Sequence, residues 1–150
     1  MGMIYALDPL IVGTIKLLET DNSIEYPSGN QLVVYTQVDN DSDFPCIIIE
    51  PSAFVENDVT RNSIGQSHVL NIEVISKFKQ GQGGWGANNN IVSQILPLIR
   101  DNGLYMDLSA DSLIVKNQTI QSIQPLKESY KDGVYYRSII VVEFEIEENP

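Results

Sequence analysis

The sequence predicts an α+β fold: a single, mostly antiparallel β-sheet with two amphipathic helices packed on one face. Apolar and polar residues alternate over 67–78 and 134–146, which is the period of a strand with one buried face and one wet face. Apolar residues recur at helical spacing over 8–20 and 88–101. Asp132-Gly133 is a hairpin signal before the last strand, and hairpins join antiparallel neighbours.

The first helix is expected over 8–20. Asp8 can cap it, and Pro9 suits the first helical position, where an N–H has no partner within the helix. The apolar stripe of this helix consists of Ile11, Val12, Ile15 and Leu18. The polar stretch 21–31 is then expected to be a loop.

Two strands are expected next, over 32–38 and 46–50. The short acidic turn 39–43 between them favours a hairpin. The second strand is apolar and is expected to end at Pro51. The polar stretch 52–66 has no clear period, so we expect a long excursion between strands, of a kind that is often functional.

The centre of the expected fold is the stretch 67–103. Its strand alternates and then turns into a loop over 79–89 that contains four glycines. Asn90 can cap the helix that follows, and Gly103 can end it. The apolar side of this helix consists of Ile91, Val92, Ile95, Leu98 and Ile99.

The remaining sequence predicts two more strands. The first covers 112–125 and is interrupted near Lys116 and Asn117; a charged turn over 127–133 leads to the second, over 134–146. The face expected to lie beneath the two helices carries Leu70, Ile72, Val74, Ile140, Val142 and Phe144.

Length and charge narrow the classes of function. A chain of 150 residues suits one domain, 1–150. The net charge of −11 argues against phosphate contacts, which need clustered Lys and Arg, so no specific nucleic-acid binding is expected. No apolar run approaches the roughly 20 residues of a membrane helix, so no membrane contact is expected.

Two motifs resemble cofactor sites, and neither has the right context. The glycine motif at 81–86 matches a dinucleotide fingerprint, but the strand before it alternates, whereas strands of parallel sheets are almost wholly apolar. The acidic motif at 39–43 has the spacing of a calcium loop, but Phe44 stands where the turn requires glycine. We therefore expect no cofactor and no metal.

The sequence does not predict an enzyme. His68, the only histidine, falls on the expected core face, where a structural role is more frequent than that of a general base. Cys46, the only cysteine, lies among isoleucines and is expected to be a small buried hydrophobe. No nucleophile motif or pair of carboxylates accompanies them, so no catalytic residues are expected.

The candidate functional residues lie in the glycine loop 79–89 and in the excursion 54–66, which we expect to contact other subunits or other proteins. Trp85, the only tryptophan, lies in the loop and outside any apolar stripe. It can be a lid over the core edge or an anchor for a partner, since tryptophan is enriched at interface hot spots. The expected interface residues are Phe54, Asp58, Arg61, Lys79, Gln82, Trp85 and Asn88.

The order of elements resembles the tail terminator, or tail completion, proteins of long-tailed bacteriophages. Three features carry this resemblance over nearly the whole chain. The first is an N-terminal amphipathic helix followed by a proline-led strand that ends in a hydrophilic stretch, 44–52. The second is the strand, glycine loop and helix over 68–100, and the third is the C-terminal strand GVYYRSIIVVEF over 133–144.

The resemblance implies a small α+β protein without an active site that forms a hexameric ring at the head-proximal end of the tail tube. Such a ring stops polymerisation of the tube and presents a surface to the neck or head-completion proteins, while DNA passes through its lumen. The implied partners are further copies of the chain, the tail tube protein and the neck proteins. The implied location is the tail or neck of the virion, after assembly in the cytoplasm of the host bacterium.

Other functions remain open at this point. The chain can be a different head–tail connector, a head-closure protein or a baseplate component, which gene order would distinguish. It can also be a non-viral small-ligand or peptide-binding α+β module, for which a strictly monomeric state and a well-formed apolar pocket would be decisive.

Overall fold

A computed structural model describes residues 5–20, 24, 34–36, 44–56, 65–100, 106 and 108–148. Helix α1 spans Leu7–Ile15 and continues as a π-helical turn, Lys16–Thr20; helix α2 spans Gly86–Arg100, and a short 3₁₀ turn spans Ser109–Asp111. The strands are β1 (Val34–Tyr35), β2 (Cys46–Glu56), β3 (Gly65–Phe78), β4 (Leu113–Tyr130) and β5 (Gly133–Glu148).

The strands form one sheet in the order β1-β2-β3-β5-β4. All neighbours are antiparallel except β1 and β2, which run parallel, with Val34 opposite Ile47. The predicted α+β class with a mostly antiparallel sheet is therefore confirmed. The predicted hairpin of the first two strands is wrong, because β2 makes its antiparallel pairing with β3. Strand β2 is apolar on both faces over Cys46–Ile49, because both faces are covered: Ile47 and Ile49 lie in the main core, and Cys46 and Ile48 lie in a second cluster.

Strand β2 does not end at Pro51, and the predicted excursion is wrong over 52–56, which belong to β2, and over 65–66, which begin β3. The strand passes Pro51 through an irregularity in its pairing between Pro51 and Ala53, and it continues to Glu56 opposite Gln66. A bulge lets an outer strand accommodate proline, which cannot donate to the ladder. The rest of the predicted excursion, 57–64, lies outside the described residues.

The first helix is confirmed, but two of its details differ. Ala6 precedes the helix without a side-chain cap, so Asp8 lies within the first turn instead of capping it. The buried stripe is Leu10, Thr14, Leu17 and Leu18, whereas Val12 is 65% exposed. The spacing of Ile11, Val12, Ile15 and Leu18 was compatible with a helix but did not identify which of two overlapping apolar stripes faces the core.

The second helix begins at Gly86, so Asn90 lies in its second turn and does not cap it. Its apolar side is as predicted, with Ile91, Val92, Ile95 and Ile99 buried.

The predicted turn over 127–133 is shorter in the structure, because β4 continues to Tyr130 and pairs there with Gly133. The predicted interruption near Lys116 is confirmed as an irregularity between Val115 and Asn117.

One large cluster of buried side chains joins residues of both helices to alternating residues of the sheet. It includes Leu10 of α1, Ile91 and Ile95 of α2, and the six sheet residues named for this face in the sequence: Leu70, Ile72, Val74, Ile140, Val142 and Phe144. All six are fully buried, and burying such a side chain contributes about 1.5–3 kcal/mol. A smaller cluster, Cys46, Ile48 and Ile75, packs with Phe44 and Tyr135.

Candidate interaction surface

A groove of about 400 Å³ lies between the start of α2 and strand β4, and we call it the α2–β4 groove. Apolar groups dominate its lining, with two polar side chains among them. The lining residues are Trp85, Asn89, Val92, Ile123, Pro125 and Ser138. Ile123 is 43% exposed although it belongs to a strand, so the groove opens at the edge of the sheet.

The glycine loop places Trp85 at this groove. A Cβ atom on Gly83 would lie 2.7 Å from the ring of Tyr136 and 2.9 Å from that of Phe78, so only glycine lets the backbone pass so close. Trp85 then meets Tyr136 edge to face, with 5.0 Å between ring centroids. The tryptophan is half-buried, so part of its ring remains available to another molecule.

Asn88 fixes the start of α2 on the sheet beneath the groove. Its side chain is fully buried. Its Oδ1 accepts a hydrogen bond from the Ser76 hydroxyl, and its Nδ2 lies 3.2 Å from the Val74 carbonyl, 2.8 Å from that of Tyr136 and 3.3 Å from Oγ of Ser138. A buried amide with partners on both atoms is a structural element.

The electrostatics of the α2–β4 groove differ from those of the rest of the chain. The segments 86–100 and 113–127, which form its two walls, contain no Asp or Glu, although the chain has 20 acidic residues. Their charged residues are Arg100 at the far end of α2, Lys116, which pairs with Glu147 at 3.6 Å, and Lys127. Lys127 lies beside the groove, with Nζ 5.6 Å from the centroid of the Tyr136 ring. The walls of the groove therefore present one nearby positive charge and no acidic side chain that would repel an acidic partner.

A second exposed aromatic site, which we call the Tyr5–Phe54 pair, lies at the other side of the sheet. Tyr5 is 55% exposed and Phe54 is 38% exposed, and their rings meet edge to face at 5.4 Å. Beneath them is the buried ring of His68, at 5.5 Å from Tyr5 and 5.0 Å from Phe54. Burial lowers the pKa of His68, because an apolar environment disfavours the imidazolium.

The Tyr5–Phe54 pair rests on hydrogen bonds that begin α1. Oε1 of the buried Gln66 accepts from the backbone N–H of Ala6 at 3.1 Å, and Nε2 of His68 lies 2.9 Å from the same oxygen. Because an amide oxygen only accepts, Nε2 of the neutral imidazole carries the proton. His68 thus has the satisfied structural position that its place in the sequence predicted.

The large apolar side chains that are exposed in the described part of the chain fall into two groups at opposite sides of the sheet. The group at β4 is Ile114, Ile123, Leu126 and Tyr130, and the group at α1 and β2 is Tyr5, Val12, Phe54 and Val55. The inner strands β3 and β5 contribute none. Single exposed apolar residues are ordinary, but their concentration at two edges marks both edges as candidate contact regions. Within them, Ile123 and Phe54 lie on the face of the core residue Ile140, whereas Leu126 and Val55 lie on the opposite face.

The predicted interface residues have different outcomes. Phe54 and Trp85 are partly exposed, and Lys79 and Gln82 are exposed in the loop before α2. Asn88 was wrong as an interface residue, because it belongs to α2 and its amide is buried against the sheet. Asp58 and Arg61 lie outside the described residues.

The sequence did not identify the residues of β4 that line the groove. Ile123 and Pro125 lie on the same face as Val115, where a simple period of two from Val115 also places them. The two pairing irregularities, near Lys116 and Gln121, change the face only for the residues between them. The groove itself could not be predicted, because it depends on how α2 packs beside β4.

In the described part of the chain, no group of three or more His, Cys, Asp or Glu side chains could hold a metal ion. No helix among the described residues has both the length and the apolar character that a bilayer crossing requires. Neither the models of known protein families nor the sequences of curated proteins match this chain.

Proposed function

We propose that this chain is a structural protein of a tailed bacteriophage, of the tail terminator type, that assembles into a ring of six copies. The ring caps the head-proximal end of the tail tube and joins it to the neck or head-completion proteins. The resemblance of the element order, above all over 68–100 and 133–144, supports the family. The proposal assigns the chain no catalysis and no cofactor.

The observation that carries the proposal is the division of exposed apolar residues between two edges of the sheet. A ring requires heterologous contacts, in which one patch of a subunit meets a different patch of the next. The β4 edge and the α1–β2 edge provide two such patches. A symmetric dimer would need only one self-complementary patch, so two unlike patches favour a ring over a dimer.

The proposal also includes the finer arrangement of the fold, with both helices covering one face of the sheet. The shared core cluster of Leu10, Ile95 and Ile140 supports it, since these residues come from α1, α2 and β5. On the opposite face, Ile139 and Val141 are only half-buried. That face and the loops then remain for contacts with the tail tube and neck proteins.

DNA passes through the lumen of the proposed ring without a specific site. The net charge of −11 supports this, because a surface poor in Lys and Arg gives DNA few phosphate contacts. A filter-binding titration should accordingly detect only weak association at low salt. Tight binding that falls steeply with salt would contradict this part of the proposal.

The first test is the mass of the particle in solution. Light scattering across a range of concentrations should give six times the 16.7 kDa chain mass, about 100 kDa, and negative-stain images should show rings. Purified rings should then bind the ends of tail tubes. A species that stays monomeric at high concentration would overturn the proposal. Rings that bind the portal side or the baseplate instead would favour a head-closure protein, another connector or a baseplate component.

One observation favours a second candidate. The α2–β4 groove lies within the 300–1,000 Å³ range of small-ligand pockets. A non-viral peptide- or ligand-binding module would use it as a monomer. Saturable binding of an acidic, aromatic peptide by a monomeric chain would support that function over the ring.

A further inference from the structure

We propose that the α2–β4 groove of one copy receives the Tyr5–Phe54 pair of the next copy. This inference rests on the proposed self-assembly and names the two surfaces that meet. The groove contributes an apolar lining with the partly exposed Trp85, and the pair contributes two aromatic rings that project from the opposite side of the sheet.

The first argument is the chemistry of the groove. Trp85, Val92 and Ile123 present apolar surface to it, so an occupant gains from burying an apolar or aromatic group there. Asn89 and Ser138 can accept or donate hydrogen bonds to a tyrosine hydroxyl. An aromatic ring with one polar tip therefore fits this lining better than a purely aliphatic side chain.

The second argument is charge. The two walls of the groove, 86–100 and 113–127, have no acidic residue, and Lys127 places a positive charge beside the groove. The segments that hold the Tyr5–Phe54 pair, 5–15 and 46–56, have the reverse composition: Asp8, Glu50 and Glu56 are their only charged residues. Because the chain as a whole is strongly acidic, most pairs of surfaces on two copies repel each other. These two surfaces attract each other, and such complementarity selects a pairing and its orientation.

The third argument is the position of the two surfaces. Strand β4 lies at one edge of the sheet, and β2 lies toward the other edge, with β3 and β5 between them. A copy whose groove is filled still presents its own Tyr5–Phe54 pair to a further copy. The contact is therefore heterologous and propagates until the ring closes.

The structure supports the rigidity that such a contact needs. Asn88 attaches the groove wall of α2 to the sheet, and Gln66 attaches the first residues of α1 below the aromatic pair. Side chains that are already held in place lose less conformational freedom on binding. Both surfaces are thus prepared before association.

The test introduces a charge into each of the two surfaces. As a control, a separate variant carries the same charge at a neighbouring residue. Ile123→Glu places an acid in the groove, and its control is Gln124→Glu, the neighbouring exposed residue on the opposite face of β4. Phe54→Lys places a base in the aromatic pair, and its control is Ala53→Lys, the neighbouring exposed residue on the opposite face of β2. Tyr5→Lys repeats the second test at a residue that is more exposed, in case Phe54→Lys disturbs the packing around His68.

The two surface variants should each weaken assembly on the order of a hundredfold, as expected for a charge placed at the centre of a contact. The controls should assemble like the unchanged protein, and circular dichroism should show the same fold for all. Mixing Ile123→Glu with Phe54→Lys gives the sharper result. The first variant keeps its aromatic pair and the second keeps its groove, so the mixture should associate although neither variant assembles alone.

The outcomes separate this inference from the proposed function. If the unchanged protein forms rings and both surface variants form them equally well, the contact uses other surfaces and the inference is wrong, while the ring remains. If the unchanged protein is monomeric at every concentration, both proposals fail. If a monomeric chain instead binds an acidic aromatic peptide in the groove, the occupant belongs to another protein, and the second copy is excluded.

Discussion

Gln66 and Asn88 are both buried amides, yet they attach the two helices to the sheet in opposite ways. Gln66 extends from β3, and its oxygen accepts from the backbone N–H of Ala6 at the start of α1. Asn88 extends from α2, and its nitrogen donates to backbone carbonyls of the sheet. A side chain of the sheet thus binds the backbone of α1, whereas a side chain of α2 binds the backbone of the sheet.

The difference has a consequence for how each attachment responds to conditions. The partners of Asn88 are hydroxyl and carbonyl groups, which do not titrate in the physiological range. The oxygen of Gln66 is shared with Nε2 of His68, a titratable ring that keeps this N–H when Nδ1 gains a proton. Because burial disfavours the imidazolium, the surroundings of the α1 attachment are expected to depend on pH, and those of the α2 attachment are not. Each attachment also lies below one of the two proposed contact surfaces.

The largest effect in this comparison is expected for Asn88→Ala. The substitution leaves two carbonyl groups and the Ser76 hydroxyl without their amide partner, and a buried polar group without a partner costs about 1–3 kcal/mol. We expect the free energy of unfolding in urea to fall by about 3 kcal/mol. The control is Asn90→Ala, an exposed position in the same helix that should change stability by less than about 0.5 kcal/mol. Equal losses for the two variants would show that Asn88 does not attach α2.

Gln66→Ala should destabilise the protein by about 2 kcal/mol, since it leaves the Ala6 N–H and the His68 N–H unpaired. The loss of structure in this variant should be confined to the region of α1. Amide hydrogen exchange should accelerate mainly in α1, whereas α2 should keep its protection. Gln121→Ala, which removes an exposed amide bonded to Glu143 at 2.8 Å, is the control. Acceleration spread evenly over both helices would show that the two attachments are not independent.

The two buried amides also show what could be predicted from the sequence. Strand alternation and helix spacing depend on burial of apolar side chains, which is why α1, α2 and the buried residues of β3 and β5 were predicted. The direction of β1 and the bulge at Pro51 depend on contacts between segments distant in sequence, which a periodic pattern does not encode.

The candidate surfaces were predicted only in part for the same reason. Trp85 was found because a tryptophan in a glycine loop departs from any apolar stripe. Asn88 was assigned to the interface because it fell within the predicted loop 79–89, and only its partners in β3 and β5 show that it is buried. Ile123 and Pro125 were missed because the groove that they line forms only where the start of α2 lies beside β4, a contact that a periodic pattern does not encode.

Acidification should lower the stability of the protein by less than either amide substitution does. Burial lowers the pKa of His68 from its ordinary value of 6.5, so the unfolded chain binds the proton first. The stability that this group contributes is complete above about pH 6.5 and is lost as the pH falls through the lower pKa of the folded state. Tyr5 contacts the His68 ring, with 5.5 Å between ring centroids.

The measurement is the difference in melting temperature between pH 7.5 and pH 5.5, compared with that of His68→Gln. Both proteins have the same carboxylates, but only the unchanged protein has the imidazole. The unchanged protein should therefore lose more stability on acidification. Exchange of amides in α1 should rise with acidification beyond the change seen in α2. An identical pH profile for the two proteins would show that His68 does not link α1 to pH.

The smallest effect on stability is expected for Trp85→Ala, although its effect on assembly should be large. Trp85 is half-buried, and its edge-to-face contact with Tyr136 is worth about 0.5–1.5 kcal/mol. Circular dichroism and melting should therefore change little, while ring formation should weaken because the α2–β4 groove loses one wall. As the only tryptophan, Trp85 also reports on its own surroundings: its emission should shift to shorter wavelength as concentration drives assembly, and should not shift in Phe54→Lys. Loss of the fold in Trp85→Ala would identify the residue as a lid over the core. If Trp85→Ala assembles normally and the emission of the unchanged protein does not shift on assembly, the groove stays open to solvent in the ring.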